Sequence, residues 1–175
     1  MNGQVTADEL RVLEQRAERL RQRPREAGDD AVCWLADVAV GQERYAIELD
    51  QLRAAVPLRS VRPTPLSPPH VIGILRFQGQ LITALSFASL LGVRGWQRDP
   101  NVLLVIEYGP HRQLVALDSE ITPVPRALPL ALVEEARRRD EGHVFCNITT
   151  PELVGVQLVD IGRLLASWRE RIDAR

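Results

Sequence analysis

The chain has 175 residues, of which 45% are hydrophobic and 26% charged, and its formal net charge is −1. That size and balance fit a globular protein with a core of its own; they exclude a charge-rich disordered chain and give no net pull toward nucleic acid or anionic lipid. Every one of the 22 basic residues is arginine, which rules out lysine Schiff bases, a phosphate-loop lysine and a lysine general base.

The first predicted element is a helix. Thr6 and Glu9 form a capping box, and Leu10, Leu13, Ala17 and Leu20 follow with the spacing of an apolar seam on an Arg/Glu-rich surface. Pro24 ends it and Gly28-Asp29-Asp30 reads as a linker, so residues 1–30 are expected to be an extension and 31–175 the domain proper. The seam can dock on its own domain or on a partner. The opening residues have no apolar stretch of the signal-peptide kind, and no segment reaches the roughly 20 apolar residues of a membrane span. A cytoplasmic protein without membrane insertion is the expectation.

From Ala31 the pattern changes to short strands. Val32–Val40 and Tyr45–Leu49 predict a hairpin about Gly41–Arg44, Asp50–Ala55 a connection, and Val56–Val61 an extended stretch. Residues 62–69 hold four prolines, too many for the inside of a sheet, because proline donates no ladder hydrogen bond. Val71–Phe77 and Leu81–Leu85 predict strands around Gln78-Gly79-Gln80. Ser86 is placed to cap a short helix, Phe87–Leu91, stopped by Gly92. Val93–Asn101 reads as a loop, Val102–Tyr108 and Gln113–Leu117 as a hairpin about Gly109-Pro110, and Ile121–Val124 as a short strand. Glu134–Gly142 reads as a solvated loop or helical turn. Val144–Ile148 and Leu153–Val159 make a last hairpin, and Asp160 caps a final amphipathic helix with Ile161, Leu164, Leu165, Trp168 and Ile172 on one face. Many short strands with few helices predict a mainly β barrel or sandwich, not a βαβ nucleotide fold.

Catalytic groupings do not emerge. His70, His111 and His143 stand apart; His143 and Cys146 are three residues apart but lack the further ligands a metal needs. Cys33 and Cys146 read as buried structural thiols. Gly73, Gly79 and Gly92 fall in separate turns and form no phosphate loop. Glu48, Asp50, Asp118 and Glu120 read as solvated charges. Arg137-Arg138-Arg139 is bounded by acids and reads as a solvated face rather than a phosphate track. The expectation is no enzyme, no cofactor, no metal and no nucleic acid. A small-barrel enzyme with an unrecognised metal or cysteine site stays open as the alternative of another class.

Three stretches carry a family resemblance. They are the hairpin Trp34–Leu49, the block Pro57–Leu91 with its Val71-Ile72-Gly73-Ile74 and Arg76-Phe77-Gln78-Gly79, and the closing strand and helix Val156–Leu165. In this order they resemble the CheW-like family of chemotaxis adaptors. The family's Asn-Leu-Arg-Gly stands here as Arg76-Phe77-Gln78-Gly79, so Gln78 replaces its arginine, and Ala54 stands where the family has a glutamate, with Leu52 at its valine. The resemblance implies two intertwined, five-stranded SH3-like barrels with an N-terminal and a C-terminal helix. It implies a non-catalytic adaptor whose partners are the regulatory domain of a CheA-type histidine kinase, the tip of a methyl-accepting chemoreceptor, and other CheW-like domains. It places Leu52, Ala54, Gly73, Arg76, Gln78 and Gly79 at the partner-binding surface. The two substitutions leave open a divergent member that binds receptors or another regulator without kinase coupling.

Overall fold

The computed structural model describes residues 31–93, 100–120, 122–150 and 153–173. The N-terminal helix expected over residues 6–23 lies outside them, as does most of the loop after Val93.

Ten strands build two five-stranded sheets. The first contains β1 (Val32–Val40), β2 (Glu43–Glu48), β8 (Val124–Pro129), β9 (Phe145–Thr150) and β10 (Leu153–Val159), in the order β8-β1-β2-β10-β9. The second contains β3 (Leu52–Pro57), β4 (Val71–Phe77), β5 (Gln80–Leu85), β6 (Val102–Tyr108) and β7 (Gln113–Ser119), in the order β3-β6-β7-β5-β4. Both sheets repeat one design. Each has an antiparallel trio, then a single parallel contact (β2 with β10, β7 with β5), then an antiparallel hairpin. A helix leaves each of those hairpins: α1 (Phe87–Leu91) after β5 and α3 (Ile161–Asp173) after β10. The second sheet is built from one continuous stretch, whereas the first takes strands from both sides of it, which intertwines the two.

Three apolar clusters follow from strand alternation. Ala54, Val56, Leu75, Phe77, Ile82, Ala84, Leu103, Val105 and Ala116 come from all five strands of the second sheet and fill one interior, so that sheet is curled. Arg62 completes the curl. Its N–H donates to Ile74 O (2.7 Å) and its C=O accepts from Ile74 N–H (3.0 Å), covering the free edge of β4. The first sheet encloses Leu35, Ala46, Leu128, Cys146, Ile148, Val156 and Leu158, and is plugged by Val133 and Ala136 of α2 (Leu130–Arg139). The alternate faces of β1, β2, β6 and β7 meet between the barrels. Val38, Tyr45, Ile47, Leu104, Ile106, Val115 and Leu117 pack there with Phe87 and Leu90 of α1 and Leu164 and Leu165 of α3.

Several expectations change. β3 begins at Leu52, not Val56, because Ala54 and Val56 alternate into the barrel while Arg53 points outward to Glu107. The strand expected at Ile121–Val124 is instead Val124–Pro129; its prolines are tolerated because β8 is an edge strand. The segment at Glu134–Gly142, expected as a solvated loop or helical turn, is helical as far as Arg139, where it forms the second half of α2, and α2 buries only Val133 and Ala136. Cys33 is half-buried rather than buried.

Candidate protein-interaction surface

The six sequence-predicted site residues separate into three settings. Ala54 is 2% exposed and Gly73 is buried, so neither presents side-chain surface in this structure. Ala54 faces the second barrel's interior, where the family's glutamate would be an unpaired buried charge in this chain. Gly73 sits where Arg62 crosses β4: a Cβ there would lie 2.3 Å from Arg62 O. Leu52 is half-buried at the start of β3, beside a bulge, and packs on the inter-barrel core.

Arg76, Gln78 and Gly79 are exposed and come together on the β4–β5 hairpin. Phe77 pairs with Gln80, leaving Gln78-Gly79 as a two-residue turn with φ of 47° and 83°. Positive φ at both central residues is the type I′ pattern, whose twist matches the strands it joins.

The same hairpin carries two residues that sequence reading missed. In register, Ile74 faces Thr83 and Arg76 faces Leu81, so these four side chains share the outer face. Ile74 is 37% exposed and Leu81 72% exposed. The inner face takes Leu75, Phe77, Ile82 and Ala84. The signal was present in the sequence: apolar residues occupy both alternation phases of Val71–Phe77, which one core cannot absorb.

Ion pairs brace the flanks. Arg53 of β3 and Arg112 of the β6–β7 turn both bond Glu107, and the Arg53 guanidinium holds its carboxyl below the ordinary value, with Arg112 adding to the effect. In the first sheet, buried Asp37 accepts from Arg44 and from Arg126 Nε (2.7 Å). Asp118 is 4% exposed and not solvated as its sequence position suggested. It accepts the Phe87 N–H, and burial pushes its carboxyl upward.

A cavity of about 400 Å³ opens between α2, β9 and the start of α3, lined by Glu48, Gln51, Arg137, His143, Cys146 and Asp160 among others. Arg137 spans it to Glu48 as an ion pair. Burial raises the Cys146 thiol, favouring its protonated, poorly nucleophilic form. Among the described residues no group of three or more His, Cys, Asp or Glu is placed to hold a metal, and no described helix is long and apolar enough to cross a membrane.

The sequence matches the CheW-like domain over residues 36–141. Among solved structures, the chain is similar to the scaffolding protein TtCheW from Thermoanaerobacter tengcongensis, with a TM-score of 0.59 at 14% identity over 81% of this chain and 93% of that one. No curated protein matches. The matched region includes all of the second sheet with its β4–β5 hairpin, β2, β8 and part of β1 from the first sheet, and α2, and the chain belongs to the CheW-like domain family.

Proposed function

We propose that this chain is a non-catalytic adaptor of a chemosensory array, coupling chemoreceptors to the regulatory domain of a CheA-type histidine kinase. Family membership supports the adaptor role. The observation that carries the contact itself is the outer face of the β4–β5 hairpin, where Ile74 and Leu81 stand exposed beside Arg76. Apolar side chains rimmed by a charged one on a rigid hairpin are what a protein interface uses. On this reading Arg76, Gln78 and Gly79 contribute contact or turn geometry, Leu52 a margin, and Ala54 and Gly73 the shape beneath. Residues 31–175 act as the CheW-like unit, 1–30 as an extension, and the protein works in the cytoplasm at receptor arrays.

The mechanism is physical. Two partners each bury part of one small protein, and array linkage supplies avidity that the single contacts lack. Calorimetric titration into the kinase regulatory domain of the same organism tests it: micromolar binding, weakened about tenfold or more by Leu81→Asp, is the expected result. Absence of heat with the folded protein would refute kinase coupling through this chain.

Gln78 favours a second reading, in which the chain binds receptors or another regulator without the kinase. Gln78→Arg restores the family's residue at the turn. Kinase binding gained only in that variant would establish the divergent role.

A further inference from the structure

The outer face of β1 and β8 carries a second apolar stripe, distinct from the hairpin. Register pairs Cys33 with Leu128, and both pack in the interior of the first barrel. The alternate pairs, Val32 with Pro129 and Trp34 with Ala127, therefore share the outside. Val32 is 47% exposed, Ala127 and Pro129 are exposed, and Trp34 is half-buried. The stripe continues the inter-barrel core, since buried Ala36 follows Trp34 on β1's outer face and Leu49 N–H donates to Trp34 O at 2.8 Å.

We propose that the N-terminal segment of the same chain covers this stripe as an amphipathic helix, laying Leu10, Leu13, Ala17 and Leu20 across Val32, Trp34, Ala127 and Pro129. Three observations select this occupant. The first is attachment. The described residues begin at Ala31, whose carbonyl is fixed at the end of the stripe by Leu130 N–H at 2.7 Å. The seven residues from Pro24 to Asp30 can span roughly 23 Å when extended, enough for a return. The second is dimension. Leu10 to Leu20 makes a seam of about 15 Å as a helix, and the exposed Pro125, Ala127 and Pro129 of β8 run a comparable length. The third is chemistry. Residues 1–30 hold six arginines against seven aspartates and glutamates, so the segment carries almost no net charge to repel or attract, and the apolar seam is what it has to offer. A strand is the wrong shape for this place, because Pro125 and Pro129 remove two N–H donors from the β8 edge. A helix of this length is marginal alone and gains its stability from such a surface.

The test uses amide hydrogen exchange on the full chain, reading residues 10–20. The expected result is protection of about tenfold or more over coil rates in a sedimentation-pure monomer. Ala127→Arg, an exposed substitution, should return those amides to coil rates while the β6 amides stay protected. Leu13→Asp, which cannot harm the barrel, should do the same and speed exchange at Ala127 and Leu128. Coil rates in the parent chain would overturn the proposal. So would protection indifferent to both substitutions, or protection that rises only with dimer formation, which would assign the stripe to a second copy.

Discussion

The Phe87 backbone N–H donates to Asp118 Oδ1 at 2.5 Å, joining the first residue of α1 to the end of β7 across 31 positions of sequence. Ser86 bonds the same carboxyl and caps the helix through Ser89 N–H. α1 is thereby latched onto the sheet at the floor of the inter-barrel core, where Phe87 is fully buried. Asp118→Ala leaves that N–H without its partner and is expected to cost about 1–3 kcal/mol in urea unfolding.

The same latch sets a pH dependence. Burial raises the Asp118 carboxyl in the folded state above its unfolded value. The folded state then binds more protons between the two values, so this group's contribution is full below the unfolded value and is lost as pH rises through the folded one. Asp118→Asn keeps an acceptor oxygen without the charge. Urea unfolding across a pH series, taken as the difference between parent and Asp118→Asn, should show parent stability falling relative to the variant as pH rises.

Glu107 works in the opposite sense. Arg53 and then Arg112 lower its carboxyl, so its contribution is present above the unfolded value and lost as pH falls through the depressed one. Arg112 is 72% exposed, and Arg112→Ala is expected to cost less than about 1 kcal/mol. Glu107→Gln should flatten the acid limb of the unfolding curve, measured against the parent.

Two glycines of the hairpin region should respond unequally to alanine. At Gly73 the added Cβ meets the Arg62 carbonyl at 2.3 Å, on a backbone with φ of 154°. Gly73→Ala must displace the crossing strand and is expected to destabilise by about 3 kcal/mol, combining strain and overpacking. At Gly79 nothing lies within 4 Å and φ is 83°, so Gly79→Ala carries only the left-handed penalty of about 1–2 kcal/mol. Thermal unfolding of the two variants side by side checks the order.

The parts of the fold that could be read in advance are those decided locally. β1 matches its predicted span because its apolar run ends at Gly41. α1 matches because Ser86 caps it and Gly92, at φ of 77°, stops it. The parts that could not be read are decided by distant partners. α2 buries two residues amid charge, too weak a stripe to announce a helix. The sequence places a short strand at Ile121–Val124, whereas β8 runs over Val124–Pro129 with prolines that its edge position tolerates. The pairing of Asp37 with Arg126, 89 residues on, leaves no local mark in the sequence. The candidate surface divides the same way. Gln78-Gly79 was legible as a turn, whereas the exposure of Ile74 and Leu81 depends on which phase of β4 the core takes.

Whether this protein couples kinase to receptor can be read in a bridging assay. Membranes bearing the organism's chemoreceptors are sedimented with purified CheA-type kinase, with and without this protein. Kinase should enter the pellet only when the protein is present, and Leu81→Asp, folded as the parent, should fail to bring it down. Kinase that sediments equally in both cases, or stays in the supernatant with the parent protein bound to the membranes, would contradict it.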